Sequence, residues 1–158
     1  MILNRQRQVP IAIDDLEKFS ARLRKLLKIP ADAVTICLVS RADIAKWNRA
    51  YRGKNKPTDV LSFTTDEPSV KQRFPKWPGK RNSVKSRDAG SMPYWGDIAI
   101  APAIARQNAK RFGREFNHEM RILILHGILH LMGYDHETDH GQMERREMRL
   151  RRQLGLAL

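Results

Sequence analysis

Residues 120–136, MRILILHGILHLMGYDH, are apolar around almost the whole helical circumference and carry three histidines at one end. A helix of that kind crosses a core instead of lying on a surface. His126 and His130 are four residues apart, so they project side by side from one face. Gly133 is free to take a left-handed conformation that ends the helix and turns the chain. The three-residue step from Gly133 to His136 then brings a third imidazole back toward the first two. Any fold containing this run has to gather three imidazoles at one buried helix end. That is how zinc-binding helices present their ligands, and three histidines leave the fourth coordination position open.

The spacing His-Gly-x-x-His-x-x-Gly-x-x-His is that of the metzincin zinc proteases, with one departure. Gly127 stands where those enzymes carry the glutamate that deprotonates water. Glu119 lies two turns upstream on nearly the same face, but roughly 10 Å along the axis is too far for that task. Peptide hydrolysis by the usual route is therefore disfavoured. A reaction on an anionic substrate that relies less on a protein base fits better, because zinc itself lowers the pKa of water. Asp135, Asp139 and His140 are expected to hydrogen-bond the ligating imidazoles from outside. His118 and His140 lack the helical or turn spacing of direct ligands.

The partner class follows from charge. Thirty Lys and Arg against seventeen Asp and Glu give a net charge of +13, which suits a polyanion such as nucleic acid. The single cysteine, Cys37, excludes an internal disulfide and fits a reducing compartment. No apolar run is long enough to span a bilayer, and MILNRQRQVP lacks the apolar core of a signal peptide. A cytoplasmic protein with no membrane association is expected.

Periodicity places the elements. A strand is expected within 2–11 and a helix from Asp14 or Asp15 to about Lys28, with Leu16, Phe19, Leu23 and Leu26 on one face. AVTICLVS, 33–40, reads as a buried strand. A helix starts at Asp43 and stops at Gly53, with Asn48 on its apolar side bonded to nearby backbone. Strands follow at 59–66 and 96–102. Helices are expected at 102–112, at about 114–132 and at about 139–154, the last with Met143, Leu150 and Leu154 on one face. The expected class is α+β: a single domain over residues 1–158, with a small mixed four-stranded sheet and about five helices around a zinc cleft. Residues 67–95 break the order. This segment is rich in proline, and between Lys71 and Arg87 it has seven basic residues and no acidic one. Phe74, Trp77, Tyr94 and Trp95 interleave with its charges, which suits stacking on unpaired bases; a solubilising loop is the alternative.

A second cluster, YRGKNKPTDVLSF (51–63), sets Arg52, Lys54 and Lys56 in or beside a turn feeding a strand. Arginine offers a planar fork of donors that grips phosphate in two places. Arg52 is thus a candidate phosphate contact, or else simply a partner of Asp59 or Asp97. Thr58 and Asp59 are suited to fixing the turn.

NRAYRGKNKPTDVLSF (48–63), GDIAIAP (96–102), HGILHLMGYDH (126–136), and Met143, Glu147, Leu154 and Gly155 together resemble the YbeY family of bacterial endoribonucleases. The resemblance implies a zinc site of His126, His130 and His136, one Zn2+ per chain, and places Arg52 as the family arginine implicated in activity. It implies metal-dependent cleavage of single-stranded RNA in 16S rRNA 3′-end maturation and ribosome quality control, with rRNA and the small ribosomal subunit as partners. Asn55 departs from the aspartate common in the family's turn, and the basic segment at 67–95 is longer than its usual connection. The competing readings are a metalloprotease-like hydrolase, and an RNA-binding ribosome-assembly factor whose zinc is structural.

Overall fold

A computed structural model describes residues 1–65 and 94–156. Nearly all of the basic segment at 67–95 lies outside the described residues. The chain runs β1 (Ile2–Asn4), α1 (Ile13–Leu27), β2 (Val34–Leu38), α2 (Arg41–Arg52), β3 (Val60–Thr64), β4 (Gly96–Ile100), α3 (Pro102–Arg111), α4 (Phe116–Leu131) and α5 (Gln142–Gln153). The four strands form one mixed sheet in the order β1-β2-β4-β3. β1, β2 and β4 are parallel, and β3 runs antiparallel to β4. The α+β class, the four-stranded mixed sheet and five helices among the described residues match the sequence expectation.

Strand alternation sorts the core into two faces. Ile36, Leu38, Ile98 and Ile100 point toward α1, α4 and α5, where they meet Leu16, Leu23, Ile124 and Ile128. The alternate residues Cys37, Leu61, Phe63 and Ala99 point the other way, toward Ile44 and Trp47 of α2. β2 is buried at every position, as expected for a β-branched strand between two layers of helix.

Several boundaries differ from the sequence reading, three of them for reasons visible in local bonding. β1 is three residues long, because Gln6 folds back so that its side-chain amide bonds both the Val9 N–H and the Val9 carbonyl at 2.9 Å. α1 begins at Ile13 with no side-chain cap, leaving Asp14 and Asp15 in the first turn, where the helix dipole favours them. α2 begins at Arg41, since Ser40 Oγ accepts the Asp43 N–H at 3.1 Å and caps the helix. Asn48 does bond to backbone: its amide donates to the Lys56 carbonyl at 2.7 Å, holding the 53–59 turn against α2.

α4 is the element that positions the site. Met120, Ile124, Leu125, Ile128 and Leu129 are fully buried, each worth about 1.5–3 kcal/mol relative to exposure. Gly127 faces β4, and a Cβ there would lie 2.7 Å from Ile98 Cγ2. The Gly127 carbonyl accepts a hydrogen bond from Ser62 Oγ of β3 at 3.1 Å. The position that carries a base in zinc proteases is here a packing contact between helix and sheet.

Gly127→Ala sets two effects against each other. Helix propensity favours alanine by about 1 kcal/mol, while overpacking costs about 1–3 kcal/mol. Ile98 Cγ2 hangs from a branched β-carbon and cannot swing aside, so a net loss of stability is expected in urea denaturation. Combining it with Ile98→Ala should cost less than the sum of the two single changes. A more stable Gly127→Ala would contradict this packing account.

Candidate active site

His126 and His130 sit one turn apart near the C-terminus of α4. The helix then closes with Gly133 N–H to His130 O at 3.0 Å and Tyr134 N–H to Leu129 O at 3.1 Å. Gly133 has φ +93°, the left-handed turn expected of it. Asp135 braces the following loop by accepting the Glu137 N–H at 3.0 Å and the Thr138 hydroxyl at 3.1 Å. These bonds hold its carboxyl below the usual range. The loop returns His136 to the other two: ring centroids lie 4.8 to 5.4 Å apart. One ligand nitrogen from each ring falls within 4.8 Å of the others.

The protonation pattern follows from one carboxylate. Glu147, on the buried face of α5, sits 2.9 Å from His126 Nδ1 through Oε2 and accepts from Arg151 through Oε1. Burial pushes Glu147 up, but its bonds and charge interactions with His126 and Arg151 outweigh that and hold it below the usual value. An ionised carboxylate only accepts, so Nδ1 of His126 carries a proton and Nε2 is the nitrogen left to face the other rings. Nε2 of His126 lies 3.1 Å from His130 Nε2. Burial, with His126 and His136 beside it, pushes His130 down, so its ring is neutral. Neutral imidazoles are the form that binds zinc. Two nitrogens on a tetrahedral zinc stand about 3.4 Å apart, given Zn–N near 2.05 Å. The His126–His130 separation suits a small, imidazole-loving divalent cation, and the third ring offers a nitrogen within 4.8 Å of both.

The histidines line a cleft of about 470 Å³ together with Tyr51, Arg52, residues 58–62 and Thr64. Arg52 is the last residue of α2 and reaches this cleft, where it pairs at 2.8 Å with Glu137 and not with Asp59 or Asp97. Asp59 accepts instead from the Val60 N–H at 2.8 Å and from the Asn108 amide at 3.0 Å. Thr58 donates to it, so the turn is fixed as expected.

A model of the family described as Endoribonuclease YbeY matches residues 1–155. The chain belongs to the YbeY family. It is similar to Endoribonuclease YbeY of Sulfurovum sp. at 31% identity, covering 98% of this chain and 90% of the relative. Against the Solibacter usitatus YbeY the identity is 36%, over 89% and 78%. A solution structure from Thermotoga maritima superposes with a TM-score of 0.58 at 26% identity, covering 98% of this chain and 89% of that one.

In this YbeY member the outer partner of the site is not where sequence reasoning put it. Asp135 and Asp139 do not bond the imidazoles. Asp139 accepts the Gly141 and Met143 N–H groups at 2.8 and 2.7 Å, and so fixes the start of α5. His140 is exposed, and its backbone N–H bonds Gln142. His118 lies 2.9 Å from the Leu156 carbonyl, near the chain's end. Glu119 is held by Arg114 at 2.9 Å. The signal for Glu147 was present: it is the one charged position on the apolar stripe of Met143, Leu150 and Leu154.

Glu147→Gln keeps the shape but exchanges an ionised acceptor for a neutral amide. Zinc affinity should fall about 10- to 100-fold in competition with a chromophoric chelator, with the circular dichroism unchanged. Unaltered affinity would show that Glu147 does not tune the imidazoles.

Proposed function

We propose that the chain is a zinc-dependent endoribonuclease cutting single-stranded RNA, with His126, His130 and His136 holding one Zn2+. Its setting is cytoplasmic 16S rRNA 3′-end maturation and ribosome quality control, with the small ribosomal subunit as partner. The observation that carries this reading is the cluster of three imidazoles within 4.8 Å in a strongly basic member of an endoribonuclease family. No described helix is long and apolar enough to cross a membrane.

Zinc, when bound, supplies Lewis acidity toward water and a phosphoryl oxygen. The protein's part is electrostatic and positional. Glu147 fixes the His126 tautomer. Arg52 lines the same cleft, where its fork of donors grips a phosphate and stabilises negative charge that grows during cleavage. The carboxylates lining the cleft are poor general bases: Asp59 and Asp135 are committed to local hydrogen bonds, and Glu137 pairs with Arg52. The RNA 2′-hydroxyl and water remain as the two available nucleophiles.

Single-turnover cleavage of an unstructured RNA tests both residue sets. His130→Ala should lose zinc and cleavage together. Arg52→Glu should keep zinc and fold while losing on the order of a hundredfold or more in rate, and Arg52→Lys should recover only part, for want of the bidentate grip. Wild-type cleavage by Arg52→Glu would make that residue structural.

The basic segment between Lys71 and Arg87 is expected to raise RNA affinity without forming the catalytic site. Deleting 71–87 should weaken binding and flatten its salt dependence, because fewer counterions are released. Cleavage at saturating RNA should survive. An unchanged salt slope would leave only a solubilising role.

A further inference from the structure

β3 is the edge of the sheet among the described residues, and it forms a wall of the cleft that holds the histidines. Its ladder has a definite parity. The register pairs Leu61 with Ala99 and Phe63 with Asp97, and Ala101 N–H bonds the Asp59 carbonyl at 2.9 Å just outside it. Thr65 N–H bonds the Trp95 carbonyl at the other end. In an antiparallel pair the bonded residues alternate, so 59, 61, 63 and 65 spend their backbone groups on β4. Val60, Ser62 and Thr64 then direct theirs toward the open edge. The Val60 N–H is taken by the Asp59 carboxylate. The N–H and carbonyl of both Ser62 and Thr64 have no partner among the described residues.

An edge with unspent donors and acceptors is a template for whatever extended chain can match it. Each of these two residues presents one donor beside one acceptor, and successive outward pairs repeat about every 6.8 Å along a strand. An unpaired nucleobase presents the complementary set on its Watson–Crick edge, which a base in a duplex has already spent. The +13 charge and Arg52 in the lining of the same cleft favour a polyanion over a peptide strand as the occupant.

We propose that the open edge of β3 at Ser62 and Thr64 reads the Watson–Crick edges of unpaired bases, and thereby imposes single-strand specificity. This rests on the endoribonuclease reading above. It assigns recognition to backbone groups, which is why no side-chain motif announces it. Ser62 is held in place by its hydroxyl bond to Gly127 on the histidine helix, so the reading edge and the imidazoles are fixed relative to one another.

The experiment compares three unstructured oligouridines under the wild-type zinc-loaded enzyme: unmodified, 3-methyluridine and 5-methyluridine. The 3-methyl group removes the Watson–Crick donor and obstructs that edge; the 5-methyl group leaves it open. The expected result is a loss of about three- to tenfold in kcat/KM for the 3-methyl oligomer alone, the usual range for one hydrogen bond. Thr64→Pro deletes an outward N–H at a strand end where proline is tolerated. It should raise KM several-fold and shrink the discrimination between the two methylated substrates, with zinc content preserved. Equal rates on all three oligomers would overturn the inference and leave the endoribonuclease reading intact. No cleavage of any oligomer would remove that reading, and this inference with it. Competitive inhibition by an extended acidic peptide, with all oligomers cut equally, would reassign the edge to a protein strand.

Discussion

The site depends on how closely α4 approaches β4. Without a side chain at 127, the helix settles onto Ile98, and Ser62 of the edge strand reaches the Gly127 carbonyl at 3.1 Å. That contact ties the histidine helix to a strand that lines the same cleft. Burial of Met120, Ile124, Leu125, Ile128 and Leu129 fixes the helix in every other direction. The same geometry explains the missing base. A side chain at 127 would point into the sheet, so the departure from the protease pattern is enforced by packing before any question of chemistry arises.

Helix position alone would not orient the imidazoles. For His126 the orientation comes from α5, through the run Arg151–Glu147–His126. A buried carboxylate shared between two donors is costly to desolvate, yet breaking one side of such a pair is costlier still. α5 can hold the carboxylate there because its start is anchored by Asp139 and its apolar stripe is locked by Met143, Leu150 and Leu154. The loop between the helices is therefore fixed at both ends, by the turn at Gly133 and by the Asp139 cap, with Asp135 bracing the middle. The protein spends its local hydrogen bonds on bringing His136 within reach of the other two rings. Such pre-organisation lowers the ordering cost of binding an ion.

What the sequence revealed depends on the range of the interaction. His126, His130 and Gly133 were legible because helix pitch and the left-handed freedom of glycine are fixed locally. The same holds for the alternation that separates Ile36 and Ile98 from Cys37 and Ala99. Glu147 was harder, because its bond to His126 spans 21 residues, and acidic neighbours closer in sequence were more obvious. Asp135 and Asp139 carry the right chemistry but are consumed by backbone N–H groups within four residues. Arg52 shows the same bias. Asp59 is seven positions away and already engaged, whereas the true partner, Glu137, is 85 positions away. The outward-facing backbone groups of Ser62 and Thr64 could not be read at all, since parity of a ladder exists only once the register does.

The Arg52–Glu137 pair shows how a cleft can be assembled around a charge without being blocked by it. The arginine side chain is 34% exposed and the glutamate 58%, so water screens the pair and its net worth is about 0–1 kcal/mol. That makes it a weak tether for a long, flexible side chain at the cleft. It is too little to compete with a phosphate that engages two guanidinium donors in a less hydrated setting. A buried carboxylate in the same place would behave in the opposite way, as Glu147 does with Arg151, and would keep its arginine permanently. Exposure thus separates the two arginine–glutamate pairs: the buried one fixes the His126 ring, and the exposed one leaves its guanidinium reachable from the cleft.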